Sequence, residues 1–262
     1  MKFNFYKYQG TGNDFVILDN RDHSYDSITN EMVNLMCDRR FGIGADGLML
    51  MNNKDGFDFE MIYYNSDGKL GTMCGNGGRC MVRFAYDMGI HKYTYHFMAT
   101  DGAHLAEIDM NNQIRLKMKD VNEVDDHATF AILNTGSPHF VKFVTDILNV
   151  DVAITGRDIR NSKQFIDDGI NVNFVETTED DAIFVRTYER GVEDETLSCG
   201  TGVTACALMS AHNTRGFNRV KVKTHGGNLS VEFNKDSDTQ FSDIWLCGPA
   251  KFVFKGVFET EE

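Results

Sequence analysis

A chain of 262 residues with 42% hydrophobic and 11% aromatic side chains has ample material for one large core or two ordinary ones, which excludes a disordered polypeptide. A formal net charge of -13 argues against nucleic acid or an anionic membrane surface as partner, because the overall field repels polyanions. The N-terminal stretch MKFNFYKYQGTGNDF lacks the apolar run of a secretory signal, and no later segment approaches the roughly 20 apolar residues of a membrane span. The expectation is a cytosolic protein whose six cysteines are mostly reduced thiols.

In chain order, alternation predicts a strand over 3–9, followed by a helix over 29–40 and a strand over 57–65. A second helix is predicted over 75–88, where Cys80, Met81, Phe84, Ala85 and Met88 give a broad apolar face, and then a strand over 94–100. A hairpin signal follows at Asn111-Asn112, a helix over 156–166 and a strand over 182–188. The fourth helix, over 200–212, reads GTGVTACALMSA from its start and is uncharged all round, so it is expected to be enclosed by strands. Strands over 219–224 and 229–233 flank a hairpin signal at Gly226-Gly227-Asn228.

The two halves repeat one another. TGNDFV at 11–16 matches TGSPHFV at 135–141, so that Gly12 and Gly136 lie 124 residues apart. Cys74 and Cys199 are 125 apart, and Thr100 with Thr224 and Leu105 with Leu229 return to 124. Four anchors in one order at one spacing indicate two copies of a unit of about 120 residues. The boundary falls near 115–128.

MCGNGGRC at 73–80 and SCGTGVTAC at 198–206 each put a cysteine directly before a glycine-punctuated helix start. The first N–H groups of a helix have no intrahelical partner and the dipole is positive there, so a thiolate is stabilised and an anion can be seated on the backbone. A single cysteine is more often a small buried hydrophobe, and that reading is applied to Cys37, Cys80, Cys206 and Cys247. Cys74 and Cys199 differ because each precedes Gly-x-Gly and the repeat makes them equivalents. One thiolate and one thiol flanking a small carboxylate substrate can remove a proton from one face of a carbon and return one to the other. The N–H groups would meanwhile hold the charge that spreads into the carboxylate. That scheme needs no metal and no pyridoxal cofactor, and the cysteine spacings do not suit a structural zinc site.

GTGNDFVILDN, FGIGADG, YYNSDG, MCGNGGRC, GSPHFV, NVNF, YERGVEDETLSCGTG and THGGNLSVEF occur in an order that resembles the diaminopimelate epimerase family nearly end to end. The resemblance implies an α+β fold of two pseudo-symmetric α/β domains, each with β-strands wrapped around a central helix. The expected domains are 1–117 and 118–249, with a C-terminal strand near 250–262 packing back onto the first and the active site in the cleft between them. It also implies a homodimer that interconverts LL- and meso-diaminopimelate without a cofactor, for lysine and peptidoglycan precursors. Carried over by motif, Cys74 and Cys199 would be the acid/base pair, and Gly75, Asn76, Gly200 and Thr201 would offer N–H groups to the reacting carboxylate. Asn13, Asn65, Asn171 and Arg190 resemble positions that hold the substrate's amino groups and distal carboxylate, where an arginine fork suits a carboxylate. Glu189 and His139 resemble residues that tune the thiols near the reacting ammonium.

Each of these has a plain alternative: Asn13, Asn65 and Asn171 as turn formers, Glu189 with Arg190 as an exposed pair, His139 as a surface residue. Two positions depart from the family pattern. Ser137 stands where many relatives have asparagine, so a substrate contact would be lost or bridged by water, and Gly47 falls where some carry glutamine. A proline-type racemase is the nearest competing reading, but a prolyl ligand has no second carboxylate for Arg190. Related phenazine-type isomerases carry a carboxylic acid at the position of Cys74. A dithiol redox sensor and a non-catalytic binding module are the readings from other classes.

Overall fold

The computed structural model describes residues 1–178 and 182–260; 179–181 and 261–262, the latter part of the expected C-terminal strand, lie outside the described residues. The chain divides into two compact units, Met1–Leu116 with the segment from Pro249 onward, and Lys117–Gly248.

The first unit contains β1 (Lys2–Gly10), β2 (Asn13–Asp19), α1 (Asn30–Cys37), β3 (Gly47–Asn52), β4 (Phe59–Asn65), α2 (Gly75–Asp87), β5 (Thr94–Ala99), β6 (Gly102–Ile108) and β7 (Ile114–Lys117). The second contains β8 (Val124–Asp126), β9 (Ala131–Asn134), β10 (Pro138–Phe143), α3 (Val152–Arg160), β11 (Asn171–Thr177), β12 (Ala182–Glu189), β13 (Asp194–Thr196), α4 (Gly200–Met209), β14 (Gly216–Thr224), β15 (Gly227–Lys235) and β16 (Phe241–Gly248). The chain then returns to the first unit as β17 (Lys251–Glu259), antiparallel to β1.

Across the first unit the strands run β17-β1-β2-β3-β4-β5-β6-β7, parallel only at β2–β3 and β4–β5. The second runs β8-β9-β10-β11-β12-β14-β15-β16, parallel only at β10–β11 and β12–β14, with β13 also on β12. Parallel neighbours need a crossover. The four α-helices among the described residues supply them, one between each parallel pair, so the two units share one topology. Each is an α/β unit with strands around a central helix: α2 touches β1, β2, β3, β6 and β17, and α4 touches β9 to β12 and β14 to β16.

Local chemistry explains where expected elements shifted. The first helix begins on Thr29, whose hydroxyl accepts from Met32 N–H, and stops at Cys37, because the Asp38 carboxylate accepts from the N–H groups of Arg40 and Phe41. The third helix starts four residues before the predicted 156, capped by Asp151, which accepts from Ile154 N–H. Gly156 resembles a helix start in sequence but lies inside the helix, against Tyr188, where a Cβ would collide with the tyrosine Cβ. Strands β2 and β3 lack alternation because they are buried on both faces and carry continuous apolar runs, FVIL and LMLM, whereas β11 is buried on both faces with Asn171 and Asn173 alternating with Val172 and Phe174.

Alternate residues of β1–β3 face α1 on one side of the sheet, where Phe3, Phe5, Val16, Leu18, Leu48 and Leu50 meet Val33 and Met36. In the second unit, Phe140, Val172, Phe174 and Tyr188 pack around Val152 of α3. The central helices α2 and α4 lie against the strands named above, with their first residues buried.

Candidate active site

Both thiols stand immediately before the central helix of their unit. Cys74 is the residue that caps α2 and Cys199 the one that caps α4, both with extended backbone, and neither side chain caps its helix. The first helical hydrogen bonds run from Gly78 N–H to Cys74 C=O and from Val203 N–H to Cys199 C=O. The N–H groups of Gly75 to Gly77 and of Gly200 to Gly202 therefore precede the helical ladder, at the positive end of the dipole. The helix starts pack closely. A Cβ on Gly202 would collide with the Asn173 amide oxygen, and one on Gly77 would meet Met49, Phe15 and Cys74.

Asn13, the first residue of β2, reaches Cys74. Its amide N–H donates to Asp46 Oδ2 at 2.5 Å, and its Oδ1 accepts from the Cys74 thiol at 3.6 Å and from Asn76 Nδ2 at 3.4 Å. Buried Asn76 accepts in turn from the Arg79 guanidinium at 3.0 Å, and Arg79 is fully enclosed. Asp46 and Asp14 share Arg39, and Asp14 is further paired with Lys7. Burial alone would raise the Asp14 carboxyl, but Arg39 and Lys7 outweigh it and hold it at about 2. Asn65 ends β4, exposed, within a turn closed by its N–H to Lys69 C=O and by Gly68 N–H to its own C=O.

In the second unit, Thr201 Oγ1 lies 3.5 Å from Cys199 Sγ and 3.2 Å from Ser137 Oγ. His139 is fully buried on β10, not a surface residue, with Nε2 3.0 Å from Ser137 Oγ and Nδ1 3.1 Å from Asn173 Nδ2. Burial, reinforced by the positive charge of Arg190, lowers its imidazole to about 3. Asn171 opens β11 rather than forming a turn; its amide N–H groups donate to Ser137 Oγ and Pro138 C=O, and its Oδ1 accepts from Arg190 N–H. Arg190 is exposed, with its guanidinium donating to Asp168 C=O, while the Glu189 carboxylate accepts from Thr196. The expected residues thus form two groups: Asn13, Cys74 and Asn76 in the first unit, and Ser137, His139, Asn171, Cys199 and Thr201 in the second.

Sequence reasoning passed over Asn173 and Thr135. Asn173 repeats the Asn171 signal two residues along a strand, on the same face, and holds His139 and Thr187. Thr135 donates to Thr201 C=O and so pins the start of α4. The remaining cysteines are buried, and burial pushes Cys37 and Cys80 up to about 12 and Cys206 well above its usual value. Among the described residues no group of three or more His, Cys, Asp or Glu side chains is placed to hold a metal ion. No described helix is long and apolar enough to cross a membrane.

The family model for diaminopimelate epimerase matches residues 5–124 and 131–253. The chain belongs to the diaminopimelate epimerase family. It is 50% identical over 251 residues to the diaminopimelate epimerase of Flavobacterium psychrophilum, covering 95% of this chain and 98% of that one. It is 45% identical over 257 residues to that of Chlorobaculum tepidum, covering 94% and 98%. Among solved structures, a phenazine biosynthesis protein of the PhzF family from Bacillus anthracis superposes with a TM-score of 0.77 at 14% identity, covering 99% of this chain and all of that one, a likeness of fold. Gly47, expected from the resemblance to depart from the family pattern, is tightly enclosed. A Cβ there would lie 2.5 Å from the Tyr63 ring and 2.6 Å from Tyr64 C=O, so the tyrosine fills the space a side chain would take.

Proposed function

We propose that this chain is a cofactor-independent isomerase that interconverts LL- and meso-2,6-diaminopimelate, with Cys74 and Cys199 as a thiolate/thiol acid/base pair at one α-carbon. The observation that carries the reading is the equivalence of the two cysteines. In two units of one topology, each is the residue directly before the buried central helix, where N–H groups and dipole favour negative charge. One sulfur takes the α-proton and the other delivers a proton to the opposite face, so the centre inverts and the pair exchanges protonation states each turnover. The N–H groups of Gly75, Asn76, Gly200 and Thr201 bind the adjacent carboxylate and hold the charge that develops there. Arg190 receives the distal carboxylate, and Asn13, Asn65 and Asn171 orient the amino groups directly or through the turns they hold. Glu189 and His139 set the polarity around the thiols.

Membership of the family and the relatives' printed activity support diaminopimelate as substrate. The reading extends to a cytosolic homodimer serving lysine and peptidoglycan precursor synthesis. The exposed Phe252, Val253, Phe254 and Val257 of β17 offer apolar surface of the kind homodimers bury, and light scattering of the purified protein tests the dimer.

Reduced protein in D2O should incorporate deuterium at one α-carbon of diaminopimelate and equilibrate the LL and meso forms. Cys74→Ala and Cys199→Ala should each lower kcat by about 100-fold or more, the usual scale of a lost general acid or base. Deuterium entering proline in place of diaminopimelate would move the substrate to the racemase class. Binding without exchange would make the chain a capture module or a thiol sensor.

A further inference from the structure

Each sulfur has one hydrogen-bond partner whose direction can be worked out atom by atom, and the two are of opposite polarity. Asn173 Nδ2 donates to Phe140 C=O at 3.0 Å, and a carbonyl can only accept, so the amide nitrogen is the atom that faces His139 Nδ1. Nδ1 of the neutral imidazole is then the acceptor and Nε2 carries the proton, which it donates to Ser137 Oγ. Asn171 Nδ2 donates to the same oxygen, with its own orientation fixed by Pro138 C=O and by Arg190 N–H. Both lone pairs of Ser137 Oγ are thereby occupied. Its hydroxyl proton must go to Thr201 Oγ1, and the Thr201 proton is left for Cys199 Sγ.

In the first unit the equivalent positions are Asn13 for Ser137 and Asn76 for Thr201. Asp46 can only accept, so it turns the Asn13 amide nitrogen toward itself and leaves Oδ1 facing Cys74. An amide oxygen accepts S–H and repels S⁻, whereas a hydroxyl proton stabilises S⁻.

The geometry points to a built-in asymmetry: Ser137 and Thr201 are positioning residues that deliver a hydroxyl proton to Cys199, so the resting enzyme carries thiolate at Cys199 and thiol at Cys74. The inference rests on the acid/base reading of the two cysteines. In the second unit His139 on β10 and Cys206 on α4 are neutral at working pH, and Glu189 and Arg190 at the end of β12 carry opposite charges. In the first unit Cys80 is neutral, and Asp14 and Asp46 are set against Lys7, Arg39 and Arg79.

The test is site-resolved alkylation with iodoacetamide across pH, read by peptide mass spectrometry in the reduced, ligand-free protein. The midpoint of the pH profile is the readout, since absolute rates also depend on access and Cys199 is the more buried thiol. Cys199 should titrate below Cys74. Thr201→Val, nearly isosteric, should raise the Cys199 midpoint by about one pH unit, the tenfold change expected for a lost hydrogen bond to a charged group. Ser137→Ala should shift it in the same direction, and Thr201→Ser should restore the wild-type profile. A Cys74 midpoint below that of Cys199, or a Thr201→Val profile identical to wild type, overturns the inference. Wild-type epimerisation of diaminopimelate with the order reversed would sink the asymmetry alone. The predicted order without turnover on any amino acid would sink the catalytic reading alone.

Discussion

His139 contributes to stability as well as to the polarity of the second thiol, and the two roles share one cause. Its imidazole is enclosed and held neutral down to about pH 3, whereas an unfolded histidine takes up a proton near 6.5. Between those values the unfolded chain binds the extra proton, so stability is complete above 6.5 and is lost as pH falls toward 3. Asp14 acts in a separate window, because its carboxyl is depressed to about 2 from 3.8; its contribution is complete above 3.8 and is lost only below. Comparing pH 7 with pH 5 therefore isolates the histidine. Urea unfolding of the wild type should show a loss of about 2 kcal/mol between pH 7 and pH 5. His139→Gln, less stable at pH 7, should show a flatter dependence over the same interval, and equal slopes would show that His139 is not the group responsible. The sequence marked His139 through GSPHF, but not its burial or tautomer. Those depend on Asn173 and Phe140 C=O, and the latter is invisible to any pattern of side chains.

At the scale of elements, legibility followed length and exposure together. Long strands with one wet face, such as β12, β14 and β15, alternate and are predicted from the sequence, while β2 and β3, buried on both faces, and the four-residue β7 and β9, too short to show a pattern, are not. The central helices were legible because their cysteine-glycine starts are distinctive and because α4 carries no charge to place in water. The third helix, predicted over 156–166, runs Val152–Arg160, and Gly156 at the predicted start is a packing contact inside it. That contact has a measurable cost. Alanine at a helix interior gains about 1 kcal/mol over glycine by propensity. Here the new methyl meets the Tyr188 Cβ, an atom near the backbone that cannot swing away, and overpacking of this kind costs about 1–3 kcal/mol. Gly156→Ala should therefore destabilise the protein by up to about 2 kcal/mol in urea denaturation, the overpacking cost less the propensity gain. A stabilising outcome would mean that α3 can slide on β12 and that the contact does not hold the helix in place.

For the molecule as a whole, the repeat explains the position of the last strand. The second unit begins its sheet with β8, which precedes β9 in the chain and pairs with it antiparallel. In the first unit the equivalent place beside β1 is taken by β17, which comes from the far end of the chain. The internal repeat reveals the copies but not this closure, which only the family resemblance implied, since β17 has no counterpart at the repeat spacing. The pairing is extensive. It runs from Lys2 opposite Glu259 to Gln9 opposite Lys251, and Phe252 and Phe254 contact Tyr8 and Phe5 edge-on. Tyr8 and Phe5 are buried members of the first unit's interior, and removing β17 uncovers both while leaving the β1 edge without a partner. A chain ending at Gly248 should lose amide protection throughout β1 and β2 in hydrogen exchange while β10, β11 and β12 keep theirs. It should also lose the order around Asn13 and Cys74, because Asn13 begins β2, which is held in register by β1 from Tyr6 opposite Ile17 to Gly10 opposite Asn13. The Cys74 alkylation profile should then resemble that of a cysteine in an unfolded peptide, with Cys199 unchanged. Uniform loss of protection across both units would mean that they fold only as one, and unchanged protection in β1 would mean that β17 is dispensable to the first unit.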